Sequence, residues 1–171
     1  NGLLLEDVSN QLNKKIVVIA SGDMSHALKS DGPYSYNENG PWFDQQMVSN
    51  IGAQKPFDIF LEPLNKISHA AECGLRSFAM MLGSLSSHDI KSEVMNYEGP
   101  FGVGYLIAKF MPMKQSTHPM IEIIEKQLRE QTLKAHKDAH LFVQIARDVI
   151  EYYVQTKKAP AWKLEKDRVL I

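Results

Sequence analysis

The sequence predicts an α/β fold: a mixed sheet covered by helices, with further helices at the C-terminal end. Three observations carry that expectation. Ile16-Val17-Val18-Ile19-Ala20 is a continuous, mostly β-branched apolar run, the pattern of a strand covered on both faces. Residues 90–97 alternate in polarity and residues 103–110 are β-prone, with Glu98-Gly99-Pro100-Phe101-Gly102 between them, so the two segments read as an antiparallel pair. Elsewhere the apolar residues recur at helical spacing.

In chain order, Leu3, Leu4, Leu5, Val8 and Leu12 mark one face of a short helix. The apolar run at 16–20 follows, and Ser21-Gly22-Asp23 breaks it. Residues 29–41 hold Gly32-Pro33, Asn37, Asn39 and Gly40-Pro41 and predict a long loop. Phe43, Met47, Val48 and Ile51 then mark a helix over 42–52. Residues 56–71 read as two short helical pieces broken at Pro63. A helix over 74–85 turns Leu75, Phe78, Ala79 and Leu82 inward, and Met80-Met81 reads as core. After the strand pair, residues 111–119 read as linker, with two prolines. Met120, Ile123, Ile124 and Leu128 stripe one further helix. Leu141, Phe142, Ile145, Ala146, Val149 and Tyr153 stripe another, with Asp138 as its expected cap and Lys157-Lys158-Ala159-Pro160 as its stop. The expected domains are therefore 1–113, a linker helix over 114–137, and the start of a second, truncated domain over 138–171.

Composition narrows the function classes. Of 171 residues, 44% are apolar, enough for a core, and a net charge of -1 offers no field for nucleic acid or anionic membrane. No run of apolar residues is long enough to span a bilayer. The lone cysteine, Cys73, cannot form an internal disulfide or a CxxC zinc site, and points to a reducing, cytoplasmic setting. The start, Asn1-Gly2-Leu3-Leu4-Leu5, lacks both an initiator methionine and a signal-peptide pattern, as expected of the interior of a longer protein.

The first candidate site is Ser21-Gly22-Asp23-Met24-Ser25-His26, directly after the apolar run. Ligands collect at the carboxyl ends of strands in open α/β sheets, and a histidine there moves protons or binds metal near neutral pH. Ser25-His26 is a poor nucleophile–base pair, because adjacent side chains diverge and the G-x-S-x-G elbow is absent. The second candidate is His69-Ala70-Ala71-Glu72-Cys73-Gly74. On a helix, His69 and Glu72 would share a face and could offer two ligands to a divalent metal, and Cys73 would sit at a helix start beside Arg76. Tyr34, Tyr36 and Trp42 either line a pocket over His26 or pack the loop; the sequence leaves both open. The glycines at 99, 102 and 104 do not match a phosphate-binding loop, and His88, His118, His136 and His140 read as solvated.

Three stretches together carry a family resemblance. Residues 17–26, ending Ser21-Gly22-Asp23-Met24-Ser25-His26, resemble the SGD-x-SH segment of LigB-type proteins, the class III extradiol ring-cleaving dioxygenases and their relatives. Cys73-Gly74-Leu75-Arg76 is similar to the Cys-Gly segment of the Memo-like branch. Residues 93–105, from Glu93 to Tyr105, resemble the closing hairpin of the microbial AmmeMemoRadiSam group. Residues 142–154 resemble the first helix of the AMME-type domain that often follows.

The resemblance implies the C-terminal half of a LigB/Memo-like domain followed by the start of an AMME-type one. It implies Fe(II), or another divalent metal, held by two histidines and a carboxylate, the histidines belonging to an N-terminal half that this chain lacks. His26 matches the acid/base histidine. Glu72 matches the carboxylate ligand, and Cys73 matches the cysteine that takes that place in the Memo-like branch. Ser21, Ser25 and Tyr34 are expected to bind substrate. The function implied is extradiol dioxygenase-type oxidation of a catechol-like or other small aromatic molecule; the alternative is a non-catalytic Memo-like module that binds a ligand or protein. Expected partners are the small-molecule substrate, the N-terminal half of the same domain and a second copy of the chain, with no nucleic acid and no membrane.

Overall fold

The computed structural model describes residues 1–160. Residues 161–171, the remainder of the expected second-domain start, lie outside the described residues. The elements run α1 (Gly2–Gln11), α2 (Asn39–Gly52), a 3-10 turn (Asp58–Leu61), α3 (Leu64–His69), α4 (Leu75–Gly83), β1 (His88–Glu98), β2 (Tyr105–Gln115), α5 (Met120–Lys137) and α6 (Leu141–Thr156). The fold is α/β, as expected, and the sheet among the described residues is the antiparallel pair β1–β2. Its register pairs Glu98 with Tyr105 and Ser92 with Phe110. No helix of the described residues is long and apolar enough to cross a membrane.

Two compact units divide the chain, one spanning residues 1–127 and one beginning at Leu128. In the first, α2 is the central element: Phe43, Met47 and Ile51 are fully buried, with Ile59 and Leu82. Phe78 and Met81 of α4 and Ile67 of α3 belong to the same cluster, and Val94, Ala108 and Phe110 of the hairpin pack on it. The hairpin is tied to α2 where Ser92 donates from Oγ to Ile51 O at 2.6 Å and from N–H to Gln54 Oε1 at 2.9 Å. Pro63 separates the 3-10 turn from α3 as its sequence position predicts.

Several elements depart from expectation, each for a local reason. Residues 16–20 form no backbone ladder among the described residues. Val18 and Ala20 pack on the core, but Val17 is 90% and Ile19 85% exposed, so the run is covered on one side instead of two. Helix α2 begins three residues early, because Pro41 falls in its first turn, where a missing N–H costs no helical bond, and Asn37 Oδ1 accepts from Asn39 N–H at 2.9 Å. β2 runs on through Pro112 to Gln115, which an edge strand allows. In α4, Met81 is buried in place of Ala79. The leucines of α1 are exposed, and the residue it buries is Gly2.

In the second unit, α6 is capped by His140, whose Nδ1 accepts from Phe142 N–H at 3.4 Å, and not by Asp138. Lys157 stops the helix in a left-handed conformation. His136 lies 3.5 Å from Asp148. Since α5 ends at Lys137, His136 and His140 do not share a helix.

Candidate metal centre

The segment after the apolar run has no regular structure, yet its backbone is held from several sides. Asp23 N–H donates to Cys73 Sγ at 3.2 Å, and Asp23 O accepts from Gly74 N–H at 2.9 Å. Met24 N–H donates to Gly104 O and Gly104 N–H to Ser25 O, both at 2.8 Å. Leu28 N–H donates to Gly102 O at 3.1 Å. The Cys73 loop and the turn of the hairpin thus clamp residues 23–28 between them. Two glycines permit the first clamp: Gly22, at φ 154°, lies so close to Gly74 that a Cβ on either would meet the other's backbone.

This arrangement collects three donor groups. Asp23, His26 and Cys73 each offer a ligand atom, all within 4.8 Å of one another. His26 Nε2 is 3.5 Å from Asp23 Oδ2. That nitrogen is buried and makes no hydrogen bond among the described residues. The carboxylate and the thiol suit a divalent cation, and the unpaired imidazole nitrogen beside them has a lone pair open either to ligate it or to take a proton. The Tyr34 ring stands 5.6 Å from the His26 ring, tilted by 37°, and is half exposed.

Ser25 and Asp44 lie directly behind the cluster. Ser25 is fully buried, and its hydroxyl donates to Ala70 O at 2.8 Å while accepting from Ala27 N–H at 3.0 Å. Its N–H donates to Asp44 Oδ1 at 2.7 Å, and Tyr97 O–H donates to Asp44 Oδ2 at 2.6 Å. Burial pushes the Asp44 carboxyl up to about 6, against the opposing pull of those two hydrogen bonds and of the nearby His26. Burial, and the carboxylate it faces, hold the Tyr97 hydroxyl well above the usual tyrosine range. Gly104 must be glycine, since a Cβ there would collide with Asp44 Oδ2.

Of the residues expected at the site, His26, Tyr34 and Cys73 come together. Glu72 turns away: its carboxylate accepts from Leu75 N–H at 2.7 Å, at the start of α4. His69 and Glu72 do not share a helix, because α3 ends at His69 and Ala71 adopts φ 53°. Ser25 has its hydroxyl committed to the backbone, and Ser21 is exposed. Asp23, inside the first candidate segment but given no role there, joins His26 and Cys73, and two participants, Asp44 and Tyr97, were not expected. Asp44 carried a signal, because it falls on the apolar stripe of α2 with Met47 and Ile51, where a carboxylate must find partners.

An α/β scaffold that clamps a His-bearing loop against a Cys-bearing one defines a candidate metal-dependent domain. Residues 2–108 match the family described as the catalytic LigB subunit of aromatic ring-opening dioxygenase. The chain belongs to the LigB family. It is also 34% identical, over 158 residues, to Protein CA_C1420 of Clostridium acetobutylicum. That match covers 92% of this chain and 34% of the relative, so the chain spans about a third of the length of the curated relative it matches.

Proposed function

We propose that this chain carries the His26 side of a LigB-type metal site acting on a catechol-like or other small aromatic substrate. The observation that supports the reading is the unpaired, buried His26 Nε2 facing Asp23 and Cys73. Cys73 and Asp23 would hold the metal, Fe(II) or another divalent ion. When bound, the metal supplies a Lewis-acidic, redox-capable centre for ring-opening oxygenation. His26 accepts a proton from a substrate hydroxyl at Nε2, and Asp23 steadies the imidazolium that results. The Tyr34 ring, beside His26, offers a face against which an aromatic substrate stacks. The remaining ligands come from the N-terminal half of the same domain. The α6 segment opens an AMME-type domain, and a reducing, cytoplasmic compartment keeps Cys73 a thiol.

A second reading is favoured by one observation: the thiol of Cys73 joins the cluster while the Glu72 carboxylate is engaged at α4. A thiolate softens the site and suits a Memo-like module that binds metal and a ligand without turnover.

Metal content of the full-length protein, by elemental emission, separates these readings when paired with catechol-dependent oxygen uptake. We expect wild type to carry metal, Cys73→Ser and Asp23→Asn to lose most of it, and Glu72→Ala to keep it. His26→Ala should retain metal and lose oxygen uptake. Metal without uptake in wild type selects the binding module. Wild type that neither carries nor takes up metal overturns both.

A further inference from the structure

We propose that Asp44 is the positioning residue of this site: its two carboxylate oxygens, tied to Ser25 N–H and Tyr97 O–H, fix where Asp23 and His26 present their donor atoms. The inference rests on the metal-site reading for its function but on hydrogen bonds for its geometry.

The segment from Asp23 to Ser25 is held largely by main-chain partners. Asp23 bonds to Cys73 and Gly74, Met24 to Gly104, and Ser25 O to Gly104. Two N–H groups go to side chains instead: Asp23 N–H to the Cys73 thiol, and Ser25 N–H to a carboxylate in the core. The latter finds Asp44 Oδ1 at 2.7 Å. His26 is the next residue, so this bond sets the direction from which the imidazole leaves the backbone. The bond also joins elements distant in sequence. Asp44 belongs to α2, whose neighbouring Phe43 and Met47 are fully buried, so the carboxylate is carried by a helix anchored in the core. Tyr97 comes from β1 and fixes the second oxygen, so the carboxylate cannot rotate away. Gly104, in the turn after β1, leaves the space in which Asp44 Oδ2 sits. One carboxylate therefore ties the site loop to the core helix and to the hairpin that also clamps the loop.

The test uses cobalt(II) titration of the full-length protein, read by the thiolate-to-cobalt charge-transfer band and the shape of the d–d bands. Asp44→Asn keeps both bonds, with Oδ1 accepting from Ser25 and the amide donating to the Tyr97 oxygen; it should bind cobalt like wild type, with the same spectrum. Asp44→Ala removes both and should weaken cobalt by about 10–100-fold, the usual cost of losing a residue that orients a ligand, and alter the d–d bands. Tyr97→Phe should give a smaller loss in the same direction, and it decides the matter if Asp44→Ala does not fold. A metal-independent readout accompanies these: the ring-proton shifts of His26, which depend on its place beside Tyr34. They should be unchanged in Asp44→Asn and displaced in Asp44→Ala and Tyr97→Phe. If the variants that lose a bond match wild type in these shifts, or if Asp44→Asn fails like Asp44→Ala, the positioning role is overturned. Wild type that binds no cobalt overturns the metal reading alone, and the His26 shifts still judge Asp44.

Discussion

The burial of Asp44 makes stability depend on pH. In the unfolded chain its carboxyl titrates near the ordinary value of 3.8, and in the fold burial raises it to about 6. Between those values the native state holds the proton more readily than the unfolded state, so stability falls as pH rises. The contribution is fully present below about 3.8 and is lost as pH climbs through about 6. Asp44→Asn has no such proton to release. Urea midpoints for both proteins near pH 4 and near pH 7 should show the variant gaining on wild type. The gain should reach at most roughly 3 kcal/mol, since each tenfold change in proton affinity is worth about 1.36 kcal/mol. The same stability difference at both pH values would mean that Asp44 is not the source of the slope.

At the scale of elements, stability is concentrated where helical periodicity and burial coincide. Ile51 of α2 is fully buried, and Ile51→Ala should cost about 2–5 kcal/mol in chemical unfolding. Ile150 of α6 lies on a helix with no buried residue, and Ile150→Ala should stay within about 0.5 kcal/mol. A large effect at Ile150 would show that the α6 stripe is covered. The helices were legible because their signals are local: Pro63 had to break a helix, and Phe43, Met47 and Ile51 had to share a face. The run at 16–20 was not legible in the same way, because β-branched composition reports a preference for extended backbone and says nothing of whether neighbours exist to bond it. The site was half legible. His26 and Cys73 stand in motifs, whereas the link from Ser25 to Asp44 and Tyr97 joins residues far apart in sequence and has no local pattern. Glu72 went to α4 because a carboxylate three residues before a free helix N–H is an effective cap, a local bond that competes with the expected metal-ligand role.

Across the first unit, the most conspicuous surface is apolar. Leu3, Leu4 and Val8 of α1, Val17 and Ile19 of the extended run, and Met111 and Met113 of β2 are all exposed. A groove of about 670 Å³ runs between residues 14–18 and β2, lined by Val18, Met81 and Phe110 with Lys14, Lys15 and Glu6 at its edges. Surfaces of this kind are interaction sites or aggregation hazards. In the function proposed above, the N-terminal half of the same domain would cover it. The chain alone should therefore self-associate as concentration rises, and Val17→Lys with Ile19→Lys should suppress that in light scattering. A chain that stays monomeric without the substitutions would argue that this surface needs no cover.

The clamp on the site loop has a temporal consequence. Met24, Ser25 and Leu28 are bonded to Gly102 and Gly104, and Tyr97 of the same hairpin anchors Asp44. Fraying of the hairpin tip therefore removes the main-chain partners of Met24, Leu28 and the Ser25 carbonyl in the same event. The loop and the tip are expected to open together, as one cooperative unit, although they are far apart in sequence. The arrangement around His26 should then last no longer than the turn between the two strands stays closed.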